Sequence, residues 1–224
     1  FRVQTFDDSR QAVQDADVVL LAIKPQIMPQ VLDELADHVK PGQLVLSIAA
    51  GTTMGLIREH LGADTTVIRS MPNTPALVGH GITGVVAGDN CSREQKQQAE
   101  EILMAAGDVV WLEDESLMDA VTAISGTGPA YFFLLAEVLA EAAREMGLPG
   151  ETADRLASIT CFGAGAMLAS SPGEAAELRR RVTSPNGTTY AAMELLKGEG
   201  YRDLVKRAAE AACNRSKELS GDNE

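Results

Sequence analysis

Strand-like and helix-like patterns alternate through the first half of this 224-residue chain, and the alternation limits its fold more than any other feature. Short apolar runs rich in β-branched residues are separated by stretches with helical periodicity. The predicted strands are 17–22, 44–49, 66–70, 81–88 and 109–112, and the predicted helices are 9–14, 27–38, 53–61 and one opened by Ser92, with Gln95 in capping-box position. This order predicts a doubly wound parallel sheet of the Rossmann type.

Strand patterns end near residue 116, and the rest of the chain shows helical periodicity. The predicted helices there are 116–124, 129–146, 151–169, 172–181, 189–197 and 201–219. We therefore expect a Rossmann-like α/β domain over residues 1–113, followed by an all-α domain over residues 114–224.

One predicted helix is apolar around most of its circumference. Between residues 130 and 143 its charged residues are Glu137 and Glu141 alone. Such a helix must be buried on several sides, and so few helices cannot easily enclose it. We therefore expect a second subunit to cover it. A membrane is not expected, because the longest apolar runs, such as 18–23, fall short of the ~20 residues that span a bilayer.

Charge and cysteine content exclude several other classes of protein. A formal net charge of −13 argues against nucleic acid and anionic membrane surfaces as partners. The cysteines are three, without the spacing of metal ligands, which favours reduced thiols in the cytoplasm. The three histidines form no pattern with a nucleophile or a carboxylate pair, so neither a hydrolase triad nor a metal site is predicted.

Residues 182–189 (Val-Thr-Ser-Pro-Asn-Gly-Thr-Thr) stand directly before an amphipathic helix. Pro185 and Gly187 favour a turn, and Asn186 tolerates a left-handed backbone. Thr188 or Thr189 can then cap the helix that begins near Tyr190. Backbone N–H groups and hydroxyls converge there at a helix N-terminus, which predicts a site for a carboxylate or a phosphate, although an ordinary capped turn has the same pattern.

A second segment, residues 125–131 (Ser-Gly-Thr-Gly-Pro-Ala-Tyr), interrupts one helical pattern and starts another at Pro129. Its glycines allow close approach of a ligand or of another helix. It is not a dinucleotide fingerprint, because no strand precedes it and Tyr131 stands where the third glycine belongs.

These two segments together resemble the pyrroline-5-carboxylate reductases, which catalyse the last step of proline biosynthesis. Further matches follow the predicted strands in the family's order: Lys-Pro-Gln at 24–26, Ala-Ala-Gly at 49–51 and Met-Pro-Asn-Thr-Pro at 71–75. The resemblance covers essentially the whole chain. It implies reduction of L-1-pyrroline-5-carboxylate to L-proline with NADPH or NADH, in a cytoplasmic homodimer or higher homo-oligomer whose helical domain dimerises and binds substrate.

The resemblance also implies roles for individual residues near the substrate. Ser184 and the backbone N–H groups of Gly187 and Thr188 would hold the substrate carboxylate. Thr189 would be the catalytic residue, its hydroxyl bonding the ring nitrogen and placing the C=N carbon against the nicotinamide. The other residues that would surround the substrate are Ser125, Gly126, Pro129 and Glu115, the last of which equally fits an acid in the first turn of a helix.

On the cofactor side, the implied residues follow the predicted strands, where α/β sheets bind ligands. They are Ala22, Lys24, Pro25, Ala50, Gly51, Met71, Asn73 and Thr74, together with Ser9. Ser9 stands where the family often has Asn, and Asn186 stands where Gly is more usual. In the family, a strand, a glycine-rich phosphate loop and a helix come before the position of Phe1, so we expect this chain to be N-terminally incomplete, with residues 1–3 at the end of a strand.

Two alternatives remain at this point. A β-hydroxyacid dehydrogenase has the same domain plan but needs a catalytic lysine, and the helix at 129–146 contains no lysine. A non-catalytic, cofactor-sensing dimer would have no physical need for the turn chemistry of residues 184–189. The sequence leaves the preference between NADPH and NADH open, as well as the assembly beyond a dimer.

Overall fold

The computed structural model describes residues 3–221, so Phe1 and Arg2, expected at the end of a strand, lie outside the described residues. Contacts divide the chain into two compact units. The first, the sheet unit, holds the chain up to Thr127 together with the segment from Glu210 onward, and the second, the helical unit, is Gly128–Ala209. The domain boundary at residues 113 and 114 stays a prediction.

The sheet unit contains the five strands and the first five helices. Its strands are β1 (Val18–Leu21), β2 (Leu44–Ser47), β3 (Thr66–Met71), β4 (Gly81–Ala87) and β5 (Gly107–Trp111). Its helices are α1 (Ser9–Ala12), α2 (Met28–Leu35), α3 (Met54–Leu61), α4 (Arg93–Met104) and α5 (Met118–Val121). The predicted capping box is present at α4, where Ser92 and Gln95 bond each other's backbone N–H groups. The α/β fold class is confirmed.

The direction of two strands differs from the expectation of a parallel sheet. The strand order is β1-β2-β3-β4-β5, and β1, β2 and β3 are parallel to one another. Strand β4 runs antiparallel to β3, and β5 is parallel to β4. The cause is the connection from Met71 to Gly81, which holds a short 3-10 turn rather than a crossover helix. A parallel return would need a dozen or more residues, so the chain turns back beside β3 instead.

Apolar side chains cover both faces of the sheet. On one face Val19, Val45 and Val67 pack with residues of α2 and α3, including Leu32 and Ile57. On the other face the alternate strand residues pack with α4; they are Leu44, Leu46, Ile68 and Val85, against Ala99 and Leu103. Because helices cover both faces of the sheet, the ends of its strands remain exposed.

The second half of the chain is helical, as predicted. The helices are α6 (Gly128–Glu145), α7 (Gly150–Ser170), α8 (Ala175–Arg181), α9 (Thr188–Gly198) and α10 (Tyr201–Ser220). Within the helical unit α6 packs on α7 through small buried residues such as Ala140, Ala153 and Ala157. Large apolar side chains elsewhere on α6 are exposed to solvent in the single chain, and Phe133 is 66% exposed.

The segment before α6 interrupts the α-helix near the predicted place, although turns of other helical types occupy most of it. A 3-10 turn at Glu115–Leu117 leads into α5, and Thr122–Gly126 forms a π-helical turn in which the Thr127 N–H donates to the Thr122 carbonyl at 2.8 Å. The helical stretch Glu115–Glu145 is long and apolar enough to cross a membrane by length and composition alone, and 17% of its most apolar 18-residue segment is buried within the single chain. The sequence analysis counted uninterrupted apolar runs and missed this stretch, because polar residues separate its apolar residues.

Candidate functional site

The residues predicted to line a cofactor follow β1, β2 and β3, and these three strands end at one edge of the sheet because they are parallel. Ala22, Lys24 and Pro25 come after β1, Ala50 and Gly51 after β2, and Asn73 and Thr74 after β3, where Met71 is the last strand residue. We call this the carboxyl edge. Open α/β sheets bind their ligands outside such an edge.

The turn between β2 and α3 brings backbone close to this edge. Gly51 has a φ of +70°, a left-handed conformation that a side chain would strain. Thr53 then caps α3, its Oγ1 accepting from the Leu56 N–H at 3.1 Å. Ala50 is exposed and carries a methyl group alone, so the turn leaves room for a ligand beside it.

Asn73 ties the end of β3 to the π-helical turn. Its Nδ2 donates to the Ser125 carbonyl at 3.1 Å, and its Oδ1 accepts from the Ile82 N–H at 3.0 Å. Both ends of the side-chain amide are therefore used within the sheet unit. Asn73 fixes the position of the segment containing Ser125 relative to the carboxyl edge.

Gly126 packs closely against the side chain of Met71. A Cβ placed on it would lie 2.8 Å from the Met71 Cε, so the π-helical turn packs directly on the last residue of β3. The Ser125 hydroxyl donates to the Val121 carbonyl at 2.9 Å, and Pro129 is the second residue of α6. π-Helical turns within helices are frequent at functional sites.

The Glu115 carboxylate binds both a buried arginine and a backbone N–H at the start of α3. Its Oε1 accepts from Arg69 Nη1 at 2.8 Å and from the Met54 N–H, in the first turn of α3, also at 2.8 Å. Arg69 is 4% exposed, and its partner carboxylate compensates its charge. The Glu115 side chain is 26% exposed, and its role toward substrate stays a prediction.

Arg69 is the site-related residue that sequence reasoning missed. It interrupts the apolar run of β3 between Ile68 and Ser70, both of which are buried. A charged residue inside a strand that reads as buried on both faces requires a buried partner. That signal could have identified an ion pair, although not the identity of its acid.

The turn before α9 has the predicted conformation. Asn186 has a φ of +59°, and the Gly187 N–H donates to the Ser184 carbonyl at 3.1 Å, which with Pro185 in the second position gives a type II turn. A Cβ placed on Gly187 would lie 2.6 Å from the Ser184 Oγ. The hydroxyl of Ser184 therefore packs over this glycine, next to the start of α9.

The capping expectation at this helix is wrong. The N-cap of α9 is Gly187, and among the described residues no side chain caps its first turn. The Gly187 N–H is used to close the turn, so the donors that point out of the helix end are the N–H groups from Thr188 onward. The structure thus brings Ser184, Gly187, Thr188 and Thr189 together as a compact group, which we call the anion turn.

The surroundings of two predicted cofactor residues, Lys24 and Ser9, are clear. Lys24 is exposed and precedes a 3-10 turn that starts at Pro25. Ser9 is the first residue of α1, after Asp8, which caps that helix by accepting from the Arg10 N–H. Hydrogen bonds from Arg10 lower the pKa of Asp8, so this carboxylate stays charged beside Ser9.

A groove lies elsewhere on the sheet unit. About 780 Å³ in volume, it is lined by the ends of β4 and β5 and the first turns of α4, including Arg93, Lys96 and Trp111. Because β4 runs antiparallel to β3, this groove lies at the opposite edge from Gly51 and Asn73. Within residues 3–221 no cluster of three or more histidine, cysteine or acidic residues could hold a metal ion.

Two family models match this chain. One, described as pyrroline-5-carboxylate reductase dimerisation, matches residues 115–219. The other, described as NADP oxidoreductase, coenzyme F420-dependent, matches residues 1–51. The pyrroline-5-carboxylate reductase of Pseudomonas aeruginosa is 48% identical over 220 residues, which cover 98% of this chain and 81% of that protein.

Solved structures resemble this chain over nearly its whole length. A pyrroline-5-carboxylate reductase from Coxiella burnetii has a TM-score of 0.92 and 43% identity, covering 97% of this chain and 81% of that one. The pyrroline carboxylate reductase of Plasmodium falciparum, solved with NADP bound, has a TM-score of 0.87 and 30% identity, covering 96% and 81%.

Proposed function

The chain belongs to the pyrroline-5-carboxylate reductase family and reduces L-1-pyrroline-5-carboxylate to L-proline with NAD(P)H, and we propose that two of its segments carry this reaction. The carboxyl edge of β1–β3 binds the dinucleotide, and the anion turn binds the substrate. The observation that carries the second assignment is the left-handed Asn186, which turns the chain so that Ser184 lies beside the start of α9.

The anion turn matches the substrate's carboxylate in chemistry. The first turn of α9 lacks a side-chain cap among the described residues, so its N–H groups and the helix dipole favour an anion. Ser184 adds a hydroxyl donor beside them. We assign the carboxylate to the N–H groups of the first turn and to Ser184, with Gly187 allowing the close approach that this arrangement requires.

The carboxyl edge fits a dinucleotide in shape and charge. Ala22 and Ala50 are exposed residues with small side chains, and Gly51 presents backbone without a side chain. Lys24 supplies an exposed cation for a phosphate-bearing ligand. Met71 at the end of β3, with Asn73 and Thr74 after it, completes this edge. Asn73 bonds the Ser125 carbonyl, and we propose that Ser125, Gly126 and Pro129 lie near the substrate.

The reaction depends on the orientation of the substrate more than on acid–base catalysis. When bound, a nicotinamide cofactor would supply the hydride that reduces the C=N bond of the substrate. The protonated ring nitrogen donates to the Thr189 hydroxyl oxygen, which fixes the imine and makes Thr189 the catalytic residue. After the reduction the nitrogen is a neutral amine that keeps its proton, and water, directly or through the Thr189 hydroxyl, can supply the second proton. Holding the carboxylate at the anion turn restricts the substrate to one orientation.

We also propose that a second copy of this chain, rather than a membrane, covers the exposed apolar side chains of α6 and α7. The family model of the dimerisation region spans both helices. Phe133 on α6 and Phe162 on α7 are 66% and 64% exposed in the single chain, which favours an extensive apolar interface in a homodimer or higher homo-oligomer. We further propose that the enzyme works in the cytoplasm, where its three free cysteines would stay reduced.

The assignment is tested by following NADPH and NADH oxidation by the purified complete protein. We expect oxidation on addition of L-1-pyrroline-5-carboxylate, with proline as the product in equal amount. The control is an open-chain 3-hydroxy acid with the oxidised cofactor. Efficient turnover of that acid, without reduction of the cyclic imine, would refute the proposed reaction and favour a β-hydroxyacid dehydrogenase.

A further inference from the structure

The last turns of α10 belong to the sheet unit and lie against the turn between β2 and α3. A Cβ placed on Gly51 would lie 3.3 Å from the carbonyl oxygen of Leu219 and 3.6 Å from its Cβ. The end of α10 therefore contacts the same turn that we place at the cofactor. The two segments are far apart in sequence, so this contact has to be held by tertiary interactions.

A buried hydrogen bond holds the end of α10 against the turn between β2 and α3. The Ser216 Oγ donates to the Asp119 Oδ1 at 2.6 Å, and both residues are buried, at 5% and 6% exposure. Asp119 lies on α5, directly before the π-helical turn of Thr122–Gly126. A buried carboxylate that loses its donor retains its full desolvation penalty, so this bond strongly favours the docked position of α10.

We propose that Asp119 and Ser216 are positioning residues for cofactor binding. Neither is placed in contact with the dinucleotide or the substrate. Their hydrogen bond docks α10 so that the Leu219 backbone supports Gly51 and keeps the β2–α3 turn in its left-handed, ligand-receiving conformation. The inference rests on the proposed function, because it takes the carboxyl edge as the cofactor site.

The test compares NADPH affinity with substrate kinetics in the purified complete protein. Ser216→Ala should raise the NADPH Kd by about fivefold, the low end of ordinary coupling between two sites, and leave the KM for L-1-pyrroline-5-carboxylate little changed. Ser216→Thr keeps the hydroxyl and should restore affinity. The matched control is Ser220→Ala, since the Ser220 hydroxyl bonds the carbonyls of Ser216 and Lys217 in its own helix and should not affect NADPH binding.

A double-mutant cycle identifies the interaction. If both residues act through one hydrogen bond, Asp119→Ala combined with Ser216→Ala should weaken NADPH binding no more than either single change. Should Ser216→Ala fail to fold, Ser216→Cys replaces it, because a thiol is a weaker donor of similar shape and should give a smaller loss in the same direction.

The outcomes separate the inference from the function on which it rests. An unchanged NADPH Kd in a folded Ser216 variant, with only a lower unfolding temperature, would show that the bond is purely structural and overturn the inference. Failure of the unmutated enzyme to bind either NADPH or NADH would instead overturn the proposed function.

Discussion

The Glu115 carboxylate binds the Arg69 guanidinium at 2.8 Å, and the same oxygen accepts the Met54 N–H. One side chain therefore connects the segment after β5 to the middle of β3 and to the first turn of α3. The neighbours of Arg69 in β3, Ile68 and Ser70, are buried, so the buried Arg69 charge needs the Glu115 carboxylate as its partner. The pair fixes the elements that carry the proposed cofactor residues Gly51 and Met71.

Removing the carboxylate should destabilise the fold. Glu115→Ala leaves the Arg69 charge buried without its partner, and we expect the free energy of unfolding to fall by about 3 kcal/mol in chemical denaturation. Glu113→Ala, at an exposed acid two residues away, is the control and should change stability little. A normal stability together with a large rise in the KM for L-1-pyrroline-5-carboxylate would instead show that Glu115 contacts the substrate.

The hydroxyls of the anion turn should act on the substrate and not on the cofactor. Ser184→Ala removes a charge-assisted hydrogen bond worth ~1.5–3 kcal/mol, so the KM for L-1-pyrroline-5-carboxylate should rise roughly ten- to a hundredfold. Thr189→Val should lower kcat as well, because it removes the bond to the ring nitrogen. Thr183→Ala serves as the control, since the Thr183 hydroxyl donates to the Arg179 carbonyl at 2.6 Å. Equal losses of NADPH affinity would mean that this turn binds the dinucleotide.

The space at Gly187 gives a steric test of the same site. In Gly187→Ala the new methyl group would lie 2.6 Å from the Ser184 Oγ and should displace it, raising the substrate KM. Gly198→Ala, at the last residue of α9, meets nothing within 4 Å and should leave the kinetics unchanged. Wild-type kinetics in Gly187→Ala would show that the position of Ser184 does not matter for substrate binding.

A charge on the exposed face of α6 should prevent assembly. Phe133→Glu places a carboxylate where we propose a second copy packs, and burying an unpaired charge there costs several kcal/mol. We expect a monomer in light scattering, compared with a dimer or larger assembly for the unmutated protein. Gln98→Glu, on the exposed side of α4, is the charge-matched control. An unchanged assembly in Phe133→Glu would place the interface on another surface.

Burial raises the pKa of the Cys91 thiol, whose Sγ lies 3.3 Å from the Val67 carbonyl oxygen. A raised pKa in the folded state favours the protonated thiol, so its contribution to stability is complete below the unfolded pKa of about 8.5 and is lost as the pH rises through the folded value. The free energy of unfolding should therefore decline with pH in the alkaline range. Cys91→Ala should remove part of that decline, and an identical pH slope in the variant would contradict the assignment.

The sequence predicted those parts of the site that depend on local backbone preferences. Proline, asparagine and glycine at 185–187 restrict the backbone, and the structure has the left-handed Asn186 that they favour. The Ser92–Gln95 capping box likewise needs only neighbouring residues. The absence of a side-chain cap on α9 was not predicted, because Gly187, Thr188 and Thr189 all allow a helix to begin and their relative preference depends on packing.

Local sequence was enough to specify the strand–helix order and the turn before α9, because both follow from interactions between residues close in the chain. The residue composition of α6 specified its apolar surface. The structure was needed to establish three features: the reversal of β4, which the short connection after Met71 imposes, the partner of Arg69 and the docking of Ser216 on Asp119. The last two join residues 46 and 97 positions apart. Such contacts form where buried charge and polar groups must find partners, and local propensity does not specify which partner that is.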